Sequence, residues 1–407
     1  MARAGMPNIS VIVLDTLRLD AFNRLEGRKG KSLSGIGDFA FLDRCIAPSS
    51  WTLPSHASLF TGMYPSEHGA HESKTVKGLD IAQIKLRRRT FVSDLNDLGY
   101  STYAISANPY VHPIYGFDEF KHFEEESYFT DLWGYTIEVP ERLKPLLAKY
   151  RAQYGGNFFK IGFAMLRDDP GLIREITGLP LTGALTLKNL AKKAKAKAIE
   201  GWPIEKGGRR IARRVSEMRP RKPFFLFLNL MEAHDPYTAS RRLKMDWSTP
   251  FLKKPVDSAT VQMWKRLYAK AAQRAYSYAY GIIEDLVERF GDNQMIVLTS
   301  DHGQEFNEHG YIGHGTVLHD EVVKVPFAVM MPKGFAKPAG KGYSSLVNVR
   351  RFISEALQRN VRAADYLYSS EVRAESFGVP AAIPKRDDID LRKLSSYDRK
   401  TVRRFRA

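Results

Sequence analysis

Two apolar runs that each end in an acid constrain the fold of this 407-residue chain more than anything else in it. The first, Asn8-Ile9-Ser10-Val11-Ile12-Val13-Leu14, leads into Asp15; the second, Met295-Ile296-Val297-Leu298-Thr299-Ser300, leads into Asp301-His302-Gly303. Runs this rich in Ile, Val and Leu, without polar alternation, suit strands covered on both faces, as in a parallel sheet. Open α/β sheets bind ligands beyond the carboxyl ends of their strands, where Asp15, Asp301 and His302 would stand. A third run, Phe224 to Leu230, is followed by Glu232-Ala233-His234-Asp235-Pro236-Tyr237, which puts His234 in a comparable place. Any one of these residues can be a helix cap or a loop hydrogen-bonder. As a set, carboxylate oxygens with one imidazole suit a divalent cation.

Between the first two runs lies Ser50-Trp51-Thr52-Leu53-Pro54-Ser55-His56-Ala57-Ser58-Leu59-Phe60-Thr61-Gly62. Pro54 suits the first turn of a helix, since its missing N–H would be unsatisfied there anyway, and Gly62 suits the exit. Thr52 therefore falls at a helix start, where free N–H groups and the positive dipole end favour an anion. Its hydroxyl reads either as a nucleophile facing a phosphate or sulfate or as an ordinary cap.

The order of strand-like and helix-like segments predicts one large α/β domain over 1–340 with an inserted segment at about 125–207. Residues 341–407 are expected to add a small subdomain and a basic tail. That region holds an amphipathic helix (Val347, Val349, Phe352, Ile353, Leu357) and a short strand over Glu371–Phe377. A long helix is expected near Val261–Phe290. No run approaches the roughly 18 apolar residues of a membrane span. One cysteine, Cys45, excludes an intramolecular disulfide, and no leader-like apolar run precedes the first strand, so a reducing cytoplasm is expected.

The net charge of +17 implies attraction to anions. It is concentrated between Lys188 and Lys222, where thirteen Lys/Arg face three acids. Lys192, Lys193, Lys195, Lys197 and Arg209, Arg210, Arg213, Arg214 read as a solvated basic face, or as a contact for an anionic substrate, a membrane surface or another polyanion. No nucleic-acid recognition motif is present, and nothing sets the oligomeric state.

The constellation resembles the sulfatase branch of the alkaline phosphatase superfamily. That branch combines a strand-end Asp, a Cys/Ser-x-Pro-x-Arg-x3-Leu-x-Thr-Gly signature and a later Asp-His/Asn-Gly. Here Thr52-Leu53-Pro54-Ser55-His56 with Leu59-Phe60-Thr61-Gly62 occupies the signature. Asp15 and Asp301-His302-Gly303 supply the flanking elements, while His234-Asp235-Pro236-Tyr237 and Val325-Pro326 resemble two further family elements. The resemblance implies a three-layer αβα sandwich with a mostly parallel central sheet. It also implies one divalent ion (Mn, Ca, Mg or Zn) on Asp15, Thr52, Asp301 and His302. A second ion is possible, with His234, Asp235 and His314 as candidate ligands.

Two departures from the signature matter. Sulfatases oxidise the leading Cys or Ser to formylglycine, whereas Thr52, a secondary alcohol, would give a ketone. The signature Arg is His56. Threonine is the nucleophile in related phosphodiesterases and transferases, so the resemblance favours a phosphomonoester or phosphodiester over a sulfate ester. On this reading Thr52 attacks, His314 contacts the oxyanion, His234 acts on the leaving group, and His56 and Asn108 line the substrate pocket. A sulfatase lacking formylglycine and an inactive, basic anion-binding relative are the alternatives. Arg18 is equally a substrate contact or a surface charge, and His68, His71, His309 and His319 read as loop hydrogen-bonders, as does His112, for which lining the pocket with Asn108 is the alternative.

Overall fold

The computed structural model describes residues 6–28, 31–72, 81–126, 167–168, 205–238, 245, 256–377, 390 and 392. Met1–Leu132 and Gly201–Ala407 make one compact unit, and Trp133–Glu200 make a second. The architecture below is that of the first. The stretch 125–207 lies almost entirely outside the described residues.

The main sheet has seven strands: β1 (Asn8–Leu14), β2 (Phe39–Phe41), β3 (Ser101–Ser106), β4 (His122–Glu125), β5 (Phe224–Leu230), β6 (Gln294–Thr299) and β7 (Phe327–Met330). Their order is β2-β7-β6-β1-β5-β3-β4. From β6 to β4 all pairings are parallel, and β7 joins antiparallel to both β6 and β2. The apolar runs therefore lie side by side: Ile12 is in register with Leu228 of β5 and with Leu298 of β6.

The period of two along each strand divides the core into two layers. Ile12, Leu14, Leu226, Leu228, Ile296 and Leu298 face one layer, together with helices α1 (Leu19–Glu26), α4 (Gly208–Glu217) and α5 (Ser258–Phe290). Ile9, Val11, Val13, Phe225, Phe227, Met295 and Val297 face the other, together with α2 (Thr52–Thr61), α3 (Phe91–Asp97) and α6 (Asn348–Leu357). Each such buried aliphatic side chain contributes about 1.5–3 kcal/mol. The result is the expected αβα sandwich with a mostly parallel sheet.

Helix α6 places Val349, Phe352, Ile353 and Ala356 in the second layer, so this part of the C-terminal stretch is core. Glu371–Phe377 forms no strand; it makes a single bridge, Ser49 to Glu375. Its polar groups are spent elsewhere, because Glu375 accepts from the Ser66 N–H at 2.7 Å and from its hydroxyl at 2.9 Å. No helix among the described residues is long and apolar enough to cross a membrane.

Candidate active site

Four adjacent parallel strands, β6, β1, β5 and β3, end at the same edge, and each is followed by polar residues of interest. Asp301-His302 follows β6, Asp15 follows β1, His234-Asp235 follows β5 and Asn108 follows β3. Helix α2 delivers Thr52 to the same place. Thr52 is its first residue, preceded by Trp51, which offers no side-chain cap. The hydroxyl is thus not consumed in capping. Gly62 ends α2 in the left-handed conformation at φ 68°, as a glycine exit requires. All ten residues of α2 are buried, which fixes the helix against both sheet and α6.

The hydroxyl has defined neighbours. Thr52 Oγ1 donates to Asp15 Oδ2 at 3.4 Å, lies 3.4 Å from His302 Nε2, and accepts from Asn108 Nδ2 at 3.2 Å. Asn108 Nδ2 also donates to Asp15 Oδ2 at 2.6 Å. His302 Nε2 is 3.4 Å from Asp301 Oδ2 and 3.9 Å from Asp15 Oδ1. Two carboxylate oxygens aimed into this cluster, Asp15 Oδ1 and Asp301 Oδ2, are buried without a hydrogen-bond partner. Leaving buried carboxylate oxygens unmatched is costly, and a cation among them removes that cost. One ligand atom from each of Asp15, Asp301 and His302 lies within 4.8 Å of the others. The donor set fits a divalent metal.

Electrostatics agree with that fit. Burial, and then the charge of Asp301, raises the Asp15 carboxyl above its usual range, and burial pushes Asp301 up to about 7. Burial also brings His302 down to about 4, which keeps its ring neutral and its lone pair available. Two acids held against their charge, beside a neutral imidazole, are what a cation stabilises.

The backbone beneath is strained. Thr16, a β-branched residue, stands at φ 59°, a conformation costing about 1–3 kcal/mol. It is held by Asp301 Oδ1 accepting from its N–H at 3.2 Å, by Tyr268 donating to its carbonyl at 3.0 Å, and by its own hydroxyl donating to the Asp15 carbonyl at 2.7 Å. Nothing in the sequence around Thr16 announces this turn.

The other expected residues fall into two groups. His234 and His314 join the site: the ring of His314 is 4.3 Å from that of His302 and 5.0 Å from that of His234. Gln304 Oε1 lies 2.6 Å from His314 Nδ1, and burial drives the His314 ring far toward neutrality. His234, Asp235 and His314 form a second set of donors within 4.8 Å of one another.

His56 takes a different place. It is fully buried beneath Thr52, with Nδ1 2.9 Å from the Thr52 carbonyl and 3.6 Å from Asp301 Oδ2, and with Nε2 3.3 Å from Asn229 Nδ2. Burial lowers it to about 4, so it brings no charge to replace the signature Arg. Its contacts are with the Thr52 backbone and with Asp301 beneath it. Arg18 likewise turns inward, to Asp20 and Glu308 at 2.9 Å each.

Sequence reasoning missed Lys206, Asn229 and Gln304. Lys206 is fully buried; its ammonium donates to the Glu232 carbonyl at 3.0 Å and to the His234 carbonyl, which fixes the loop carrying His234. A lysine in a basic stretch gives no signal of such burial. Of the basic face, Lys192, Lys193, Lys195 and Lys197 lie outside the described residues. The four arginines of α4 all have internal partners: Arg209 with Tyr278, Arg210 with Glu126, Arg213 with Glu217 and Arg214 with Glu124.

The Sulfatase family profile matches residues 7–358. Among solved structures, the chain is similar to a phosphonate monoester hydrolase of Agrobacterium radiobacter (15% identity, TM-score 0.53, 86% of this chain and 74% of that one). It is also similar to a phosphonate monoester hydrolase from Silicibacter pomeroyi (15% identity, TM-score 0.52, 87% and 73%). At these identities the likeness is one of fold. A search of curated proteins gives no match. With a match over most of its length and a site built for a cation beside a hydroxyl, the chain belongs to the sulfatase family of metal-dependent hydrolases.

Proposed function

We propose that this sulfatase-family hydrolase cleaves a phosphomonoester or phosphodiester, or transfers its phosphoryl group, with Thr52 as nucleophile. One observation carries the reading: where the family signature begins, a threonine hydroxyl stands at a helix start within 3.4 Å of both Asp15 and His302. Oxidation of threonine yields a ketone, not the aldehyde whose hydrate serves sulfate chemistry, which favours phosphorus as the centre attacked.

Asp15, Thr52, Asp301 and His302 would hold the divalent ion, which when bound supplies Lewis acidity to the hydroxyl and to the anionic substrate. Asp15 Oδ2, which accepts from the Thr52 hydroxyl, takes its proton, Asn108 donates to the oxygen, and the electron pair of the O–H bond is the one that attacks. The Oγ–P bond forms as the P–O bond to the leaving alcohol breaks, with His314 facing the non-bridging oxygens and His234 protonating the alcohol. Water, or an acceptor alcohol, then cleaves the Oγ–P bond and regenerates the hydroxyl. His56, through the Thr52 carbonyl, positions the first turn of α2. The single buried cysteine suits a cytoplasmic setting.

The test is turnover of nitrophenyl phosphate, bis-nitrophenyl phosphate, a nitrophenyl phosphonate and nitrophenyl sulfate with Mn²⁺, Zn²⁺, Ca²⁺ or Mg²⁺. Phosphorus esters are expected to be hydrolysed faster than the sulfate. Preference for the sulfate would move the reading to a sulfatase without formylglycine. Turnover of none would leave an anion-binding relative.

A further inference from the structure

A separate group of metal-type donors gathers on the hairpin after β6, in which Glu305–Phe306 pairs with Ile312–Gly313. Glu305, His309 and His319 each bring one donor atom within 4.8 Å of the others. Glu305 is fully buried; its Oε2 lies 2.8 Å from His319 Nδ1, and its Oε1 accepts from the His309 N–H at 2.9 Å. His309 Nε2 is 3.0 Å from Glu321 Oε2, and the two imidazole centroids are 4.4 Å apart.

Each imidazole stands against one carboxylate, His319 against Glu305 and His309 against Glu321, so two ring nitrogens and two carboxylates converge on one place. A divalent cation there would take lone pairs from the imidazoles and charge from the carboxylates. Two imidazoles with one or two carboxylates are donors that zinc accepts. None of these residues belongs to the site at Thr52.

We propose that Glu305, His309 and His319, with Glu321 beside them, form a zinc-type site distinct from the reacting centre, pinning the 305–313 hairpin to the helical turn at Asp320–Val323.

The experiment is zinc stoichiometry by elemental analysis on zinc-loaded wild type, His309→Gln and His319→Gln, with His302→Gln as the control at the other site. His309 and His319 are 49% and 35% exposed, so glutamine replaces them without opening the core. Each hairpin variant is expected to bind one zinc per chain fewer than wild type. His302→Gln should still show the hairpin ion, seen as a further loss of one zinc when His319→Gln is added to it. Equal stoichiometry in wild type and both hairpin variants overturns the proposal. A second measurement needs no variant: zinc should protect His309 and His319 of the wild-type chain from acylation by diethyl pyrocarbonate. Unchanged modification of both at saturating zinc overturns it too.

Discussion

Asn108 Nδ2 lies 2.6 Å from Asp15 Oδ2, and the same nitrogen donates to the Thr52 hydroxyl at 3.2 Å. One amide thus fixes the Asp15 carboxylate and the proposed nucleophile, Thr52, relative to each other. Asn108→Ala should lower kcat about 10–100-fold, or about 1.4–2.7 kcal/mol, with KM nearly unchanged. Steady-state kinetics beside a thermal melt check this. A wild-type kcat would remove Asn108 from the machinery.

Thr52→Ala should reduce turnover by at least about 10³-fold while metal binding and melting temperature stay close to wild type, because the side chain lost is a reacting group. Thr52→Ser restores a hydroxyl at the same helix start and should recover part of the rate. Stopped reactions analysed by intact mass should show a phosphoryl adduct in Thr52-containing protein alone. An alanine variant as fast as wild type would end the covalent mechanism.

Glu72 provides a pH test away from the ligands. It accepts from the Trp51 indole N–H at 2.6 Å, and burial raises its carboxyl to about 7 from an ordinary 4.5. The folded state therefore holds a proton that the unfolded chain has released between about pH 4.5 and 7. Its stabilising contribution is complete below 4.5 and is lost as pH rises through 7. Glu72→Gln should flatten this fall and gain about 2 kcal/mol relative to wild type at pH 8, read by urea unfolding at pH 5 and pH 8. In the wild type, Trp51 fluorescence should titrate with a midpoint near 7. Parallel stability profiles for the two proteins would refute the assignment.

Gly303 is required by space. A Cβ there would stand 2.1 Å from the Glu321 carbonyl oxygen, a backbone atom that cannot swing aside. Gly303 N donates to the Val322 carbonyl at 2.6 Å and Gln304 N to the Glu321 carbonyl at 3.0 Å, so the two segments are stitched together at this point. Gly303→Ala should cost about 2–4 kcal/mol and displace His302, which lowers metal affinity as well as melting temperature. Unaltered values of both would show that the two segments can separate freely.

The sheet was legible because both faces of β1, β5 and β6 are covered, and runs so rich in Ile, Val, Leu and Phe, without polar alternation, suit that environment. The acids at their ends followed from strand direction alone. Lys206 and Asn229 were not legible, since their roles depend on which segments become spatial neighbours. Glu232, whose carbonyl Lys206 holds, is 26 positions away, and His56, which meets Asn229, is 173 positions away. The placement of His56 shows the same limit: its position in the signature suggested an open pocket, whereas the packing of α2 against Phe227 closes it in. The arginines of α4 look like a free basic face in the sequence because Glu124 and Glu126, which pair with Arg214 and Arg210, precede them by some eighty to ninety positions.

The position of β1 between β5 and β6 has a consequence for synthesis. Thr16 and Asp301, bonded through the Thr16 N–H, are 285 positions apart. At about 5–20 residues per second, roughly 15–60 s separate their emergence from the ribosome. Until β5 (Phe224–Leu230) is made, β1 has neither of its sheet neighbours, and until β6 (Gln294–Thr299) is made it has one of the two. Ile9 to Leu14 therefore stay without their native cover until both neighbouring strands have been made.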